Sequence, residues 1–410
     1  MRRATLLGSL VLLGIALLLA ASLALPPVRT VPAERSPAPV PSPVEKTPPL
    51  SRRPAVDPVP VLPLPPGVVH PKSGRYVAAW MPTEWDTDKA RASFEANLDF
   101  VDEISPVWYE MRRSGTLLVL GGAQDATLVE AAHAAAVLVL PSITNGFDPD
   151  RTGYVLKDAD RRSTFVQRIL DEVDNFGYDG VDIDFEGVPA GERDAFTAFM
   201  RQLALGLHER GKLLSIAIHP RTNDTDGAPG ARSQDWFALG QIVDRFRIMT
   251  YDYHWRGGGP GPVAPIYWVR EVVEYARSQH VDPAKIEVGV PFYGYDWAGG
   301  GEAQGVTWQQ IQELLETYEP RVNLLESDQR GEVAESWFTY WTRGGSHTVW
   351  FASQRSLEAK LDLVIQYDLA GIAIWRLGGE DPAYWRAIRE KLTRDPYEVQ
   401  RSIVRYLPDP

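Results

Sequence analysis

The residues best placed to do chemistry lie in one stretch, Tyr178-Asp179-Gly180-Val181-Asp182-Ile183-Asp184-Phe185-Glu186. Val181, Ile183 and Phe185 alternate strictly with Asp182, Asp184 and Glu186, the period of a β-strand whose faces meet different surroundings. Side chains two apart on a strand sit roughly 6 to 7 Å from one another, so the carboxylates form one short row. Like charges this close push at least one pKa upward, which keeps a carboxylic acid protonated near neutral pH and able to donate its proton. A merely solvated strand face would mix signs and include Lys, Thr or Ser. A calcium loop fits only in part. Asp182, Asp184, Glu186 and Gly187 occupy the first, third, fifth and sixth places of an EF-hand pattern, but Arg193 stands where the bidentate Glu is needed and Pro189 interrupts the loop.

Asp179-x-x-Asp182-x-Asp184-x-Glu186 resembles the Asp-x-x-Asp-x-Asp-x-Glu signature of glycoside hydrolase family 18, the chitinase-like enzymes. The resemblance implies that Glu186 is the general acid and base and that Asp184 supports a reacting acetamido group. It also implies that Asp182 shares a proton with Asp184, whereas Asp179, at the strand entrance, reads as structural support. Met249-Thr250-Tyr251-Asp252 is similar to the family's Met-x-Tyr-Asp pattern. That similarity implies a Tyr251 hydroxyl bonded to the acetamido carbonyl and an Asp252 that contacts the sugar. Alternation places Met249 beside Tyr251. Trp375, in Gly371-Ile372-Ala373-Ile374-Trp375, stands where the family places the indole that floors the sugar subsite. Taken without the family, Tyr251 and Trp375 read as core residues. Tyr293, Trp80 and Asn145 fall at predicted strand ends, and for the last two substrate contact and packing stay equally open.

Positioning such a site requires an α/β framework. After His70, candidate strands alternate with amphipathic helices: 76–81, 100–108, 137–144, 180–186, 213–219, 246–253, 286–293 and 371–377. Eight is the number that closes a (β/α)₈ TIM barrel, in which catalytic residues sit at the carboxyl ends of strands, as Glu186 does. An open doubly wound sheet is the alternative, weakened by the lack of a Gly-rich phosphate turn after the first strand. Phe165, Val166, Ile169, Leu170 and Val173 line one helical face before the acidic strand, and Phe196, Phe199, Met200, Leu203 and Leu207 another after it. Pro265 marks a helix start. Residues 296 to 348, between the seventh and eighth strands, are too long for a simple loop and carry a helix from Trp308 to Tyr318; the segment looks similar to the small α+β insertion that many members of the resembled family carry there.

The chain divides into a leader (1–25), a Pro-rich spacer (26–69), the catalytic domain (70–395) and a tail (396–410). Arg2 and Arg3 precede an uncharged apolar run from Ala4 to Leu25, which reads as an export signal, either cleaved or kept as a membrane anchor. The spacer should be extended and, at about 3.1 Å per residue, could reach on the order of 100 Å. A net charge of -12 argues against nucleic acid or an anionic membrane surface as the main partner. Cysteine is absent, which excludes disulfides and thiolate metal sites. His219 has no second His at ligand spacing, and the Gly257–Gly259 and Gly299–Gly301 runs lack the residues of a phosphate loop, so neither a metal nor a cofactor is expected.

The resemblance covers about residues 73 to 392. Val263-Ala264-Pro265-Ile266, Gly294-Tyr295-Asp296-Trp297 and Val349-Trp350-Phe351 look like a bacterial branch that includes spore-cortex peptidoglycan N-acetylglucosaminidases. The LysM wall-binding modules common in those relatives are not visible here. The function implied is a monomeric, exported, retaining glycosidase that cleaves β-1,4 bonds after N-acetylglucosamine in peptidoglycan. Chitin is the alternative substrate, and a non-catalytic glycan-binding lectin on the same barrel the alternative class.

Overall fold

A computed structural model describes residues 71–393, apart from 226, 228 and 300 and the side chain of Pro229. The expected leader, spacer and tail lie outside the described residues. The chain runs β1 (Tyr76–Met81), β2 (Glu103–Met111), β3 (Leu117–Val119), β4 (Leu138–Val139), β5 (Ser142–Thr144), β6 (Gly180–Asp184), β7 (Leu213–Ile218), β8 (Arg245–Ile248) and β9 (Ile286–Pro291). There follow β10 (Gly294–Ala298), β11 (Ala303–Val306), β12 (Asn323–Asp328), β13 (Gly331–Thr342), β14 (Gly345–Phe351) and β15 (Gly371–Trp375).

All pairings between barrel strands are parallel, and β1 bonds both β2 and β15, so the sheet closes into a (β/α)₈ barrel. β3 is an antiparallel hairpin partner of β2. The third barrel position, expected as one strand over 137–144, is two short strands, β4 and β5, on either side of Leu140-Pro141. Pro141 has no N–H to give to a ladder, although its carbonyl still accepts from Asp182 N at 3.0 Å. The second strand begins at Glu103, later than expected, because residues 97–101 turn back on themselves through Asn97 O.

The acidic strand is held between two helices. Helix Ala159–Phe176 buries its expected face and ends at Gly177, whose φ of 66° turns the chain into Tyr178. Helix Arg193–His208 buries Phe196, Phe199 and Met200 on the other side. Phe185 stacks on Phe199 with ring centroids 5.6 Å apart. Burial of each such ring contributes roughly 1.5–3 kcal/mol, and here it pins the residue next to Glu186. At Gly180 a Cβ would lie 2.1 Å from Leu213 O, so the close approach of β7 requires glycine.

The insertion is a separate antiparallel sheet in the order β11-β10-β14-β13-β12, running from Gly294 to Phe351. Its helix spans Trp308–Tyr318 as expected, opened by a Thr307/Gln310 capping box. Ile311, Phe338, Tyr340, Val349 and Phe351 form its small core.

Candidate active site

Glu186 lies two residues beyond Asp184, where β6 ends earlier than expected, at the carboxyl end of the barrel. Its side chain is about one quarter exposed and lines a cleft of about 970 Å³. Burial, with Asp252 opposite, pushes the Glu186 carboxyl up to about 7. Asp184 lies in the same cleft. Burial, Glu186 and then Asp182 hold its carboxyl well above the usual carboxylate range. Its Oδ1 is buried and has no hydrogen-bond partner among the described residues. The carboxyl at the rim, its pKa raised to about 7, therefore neighbours a second carboxyl whose burial disfavours its charged form, with an oxygen left over for a ligand.

Asp182, next down the strand, is fully enclosed and fully used. Its Oδ2 accepts from Trp80 Nε1 at 2.8 Å and Ser142 Oγ at 2.9 Å, and its Oδ1 from Ser215 Oγ at 2.5 Å and Arg247 Nη1 at 3.4 Å. Each oxygen of Asp182 thus has two partners, and Asp182 forms no hydrogen bond to Asp184 among the described residues. Below it, Arg247 donates to Glu287 at 2.8 Å, Ser105 at 2.6 Å and Glu103 at 2.7 Å, while Arg245 donates to Glu103 at 2.6 Å. This ionic plug fills the barrel interior beneath the acidic row. Buried charge is tolerated when paired and hydrogen-bonded in this way.

The Met-x-Tyr-Asp segment lies beyond β8, which ends at Ile248 and not at Tyr253 as expected. Thr250 N bonds Ile248 O and Tyr251 N bonds Met249 O, each at 2.8 Å, and Asp252 takes left-handed backbone with φ 61°. The tight turns stop the ladder while leaving Met249 and Tyr251 on the cleft wall. The Tyr251 hydroxyl has no hydrogen-bond partner among the described residues, and burial, followed by Asp184, raises its pKa. Asp252 Oδ1 accepts from the hydroxyls of Tyr293 and Tyr295. Trp375 ends β15, packs edge to face against Trp80 at 6.0 Å, and lines both this cleft and an adjoining one of about 770 Å³. Trp80 reaches the cleft only marginally, being 2% exposed, because its indole is committed to Asp182.

For Asn145, left open between substrate contact and packing, the structure shows a packed side chain. It is 1% exposed and is not part of the cleft wall. Its Nδ2 donates to Glu186 O at 2.7 Å and to Thr152 Oγ1 at 3.0 Å, and its Oδ1 accepts from Glu186 N at 3.1 Å. It positions the backbone of Glu186. Asp179 supports the strand entrance, accepting from Val139 N at 2.9 Å beside His133.

The ionic plug and the surroundings of His219 emerge only in the folded chain. Arg245 and Arg247 alternate as the acidic residues do, so the period-two signal was present; only barrel closure shows that this face points inward. His219 Nε2 lies 3.8 Å from Glu186 Oε2 and has no hydrogen-bond partner among the described residues. Burial pushes its pKa down to about 4, so it stands as a neutral imidazole beside the acid.

The model of "Glycosyl hydrolases family 18" matches residues 83–380. The chain is 32% identical to the cortical fragment-lytic enzyme of Bacillus anthracis over 293 residues, 70% of this chain and 66% of that protein. It thus spans slightly less than two thirds of the length of that curated relative. Its fold is similar to the crystal structure of the Bacillus cereus spore cortex-lytic enzyme SleL, with a TM-score of 0.70 and 28% identity over 78% of this chain and 76% of the other. A chitinase from Chromobacterium violaceum is similar as well, with a TM-score of 0.71 and 26% identity over 78% of this chain and 100% of the other. With the acidic strand, the Met-x-Tyr-Asp turn and Trp375 gathered at one barrel mouth, and a family match over most of the barrel, the chain belongs to the glycosyl hydrolases of family 18.

Proposed function

We propose that the chain is an exported, retaining glycosidase that hydrolyses β-1,4 bonds following N-acetylglucosamine, with peptidoglycan as its polymer. The observation that carries this reading is the pair of stacked carboxyls. Glu186, its pKa raised to about 7, can give a proton to the leaving oxygen near neutral pH, while Asp184 Oδ1 and the Tyr251 hydroxyl, neither with a hydrogen-bond partner among the described residues, line the same cleft. In the proposed reaction the substrate's acetamido oxygen attacks the anomeric carbon as Glu186 protonates the leaving group. Asp184 and Tyr251 orient that acetamido group and stabilise the cationic intermediate, and Glu186 then takes a proton from the incoming water. Trp375 offers an apolar face to the sugar ring.

Peptidoglycan is favoured by the similarity to the cortical fragment-lytic enzyme and SleL, and by the apolar leader, which supports export. Chitin is the second reading, favoured by the equally similar fold of the Chromobacterium chitinase. Mass analysis of products from purified peptidoglycan and from chitin distinguishes them: N-acetylglucosamine at the new reducing ends of peptidoglycan fragments is expected. Oligomers without the acetamido group should resist cleavage, and their efficient hydrolysis would overturn the substrate-assisted mechanism. Binding with no turnover on any N-acetylglucosamine polymer would instead point to a lectin.

A further inference from the structure

The geometry points to a second glycan-binding surface, the outer end of the insertion sheet, which receives the polymer after it leaves the cleft and stacks it on Trp341. Three cavities follow one another. The cleft that holds Glu186 shares Asp252, Arg256 and Trp375 with the adjoining cavity, and that cavity shares Glu302 with a third of about 520 Å³. The third is walled by Trp297, Ser346 and Thr348 of the insertion and by the 257–260 loop of the barrel.

Ladder register puts this wall and Trp341 on the same face. In antiparallel pairs, directly opposite residues project to the same side. Tyr295 stands opposite Trp350, which stands opposite Trp337; Trp297 stands opposite Thr348, which stands opposite Thr339; and Ser346 stands opposite Trp341. The face therefore begins with Tyr295, whose hydroxyl bonds Asp252 in the catalytic cleft, and ends at Trp341. Trp350 and Ser346 lie four positions apart along β14, a run of roughly 13 Å. Trp297 and Trp350 are buried, whereas Trp341 is 72% exposed.

A large indole exposed to this degree is unusual on a strand whose neighbours Thr339, Thr348 and Ser346 carry hydroxyls. An apolar plate ringed by hydroxyls suits a pyranose, which presents C–H groups on its faces and hydroxyls at its edge. It suits the centre of a protein interface less well, since such a centre is more apolar than the surface around it. The occupant is thus the continuing β-linked glycan of the same polymer whose reacting unit lies beside Glu186. This assignment rests on the proposed glycosidase reading, and the test separates the two.

In the full chain carrying Glu186→Gln, which stops turnover, Trp341→Ala should bind insoluble chitin or purified peptidoglycan roughly three- to tenfold more weakly, the loss expected for one aromatic contact. Trp341→Tyr, which keeps a ring, should recover most of it. Affinity for a short N-acetylglucosamine oligomer, too short to span both sites, serves as the reference, and the ratio of polymer to oligomer affinity should fall. An unchanged ratio would overturn the assignment, as would a change in sedimentation showing that Trp341 contacts a second copy of the chain. If the Glu186→Gln parent binds neither oligomer nor polymer, the glycosidase reading fails first.

Discussion

The side-chain amide of Asn145 closes on both backbone polar groups of Glu186, donating to its carbonyl at 2.7 Å and accepting from its N–H at 3.1 Å. The peptide that carries the acid lies just beyond the ladder of β6, where no strand partner would hold it. A buried amide from the end of β5 supplies the missing constraint. Asn145→Asp keeps the acceptor but sets a carboxylate oxygen against the Glu186 carbonyl. We expect kcat to fall about 10- to 100-fold with oligomer affinity little changed, because small misplacement of a catalytic group is costly. Stability should drop by ~1–3 kcal/mol. Steady-state kinetics and denaturant unfolding check both, and a kcat within twofold of the parent would refute the positioning role.

Activity should decline as pH rises through about 7, where Glu186 loses the proton it must donate. Stability should follow the same direction. The folded pKa lies above the ordinary 4.5, so the folded chain holds this proton more tightly than the unfolded chain does. The resulting stabilisation is complete below about pH 4.5 and is lost as pH rises through about 7. Glu186→Gln removes this titration. The variant should lose most turnover yet exceed its parent in stability above pH 8 by ~1–3 kcal/mol, with little difference near pH 5. Melting curves across pH measure this, and parallel profiles for the two proteins would count against a raised pKa.

The two aspartates of β6 should separate cleanly. Asp182 holds Trp80, Ser142, Ser215 and Arg247, so Asp182→Asn places an amide against donors and should cost ~3–5 kcal/mol of stability. Asp184→Asn breaks no hydrogen bond of Oδ1 and should fold normally while kcat falls about 10²- to 10³-fold. Paired unfolding and kinetic measurements decide; a stable Asp182→Asn with a crippled rate would return Asp182 to the chemistry.

Tyr251→Phe should leave the melting temperature unchanged, since the hydroxyl has no partner among the described residues, and should reduce kcat about 10²-fold through lost stabilisation of the acetamido group. Equal rates on N-acetylglucosamine oligomers would show that the hydroxyl does not engage the reacting unit.

The acidic row, the Met-x-Tyr-Asp segment and the helix Trp308–Tyr318 could be read directly from the chain, because periods of 2 and 3.6 are local properties of a strand and a helix. The strand limits were less legible. Tight turns after Ile248 and the missing N–H of Pro141 end ladders that hydrophobicity alone would continue.

By itself the sequence determined that three carboxylates would share a strand face and that eight strands would alternate with helices. Which face turned inward, and what answered the charge, was decided only by closure of the barrel. Arg245 meets Glu103 across 142 residues and Asn145 meets Glu186 across 41. Such pairings leave no periodic trace along the chain, since they depend on which strands become neighbours across the barrel. Burial then sets the chemistry: enclosure without a compensating cation raises Glu186 and Asp184, while Asp182 one step below meets Arg247 and three neutral donors.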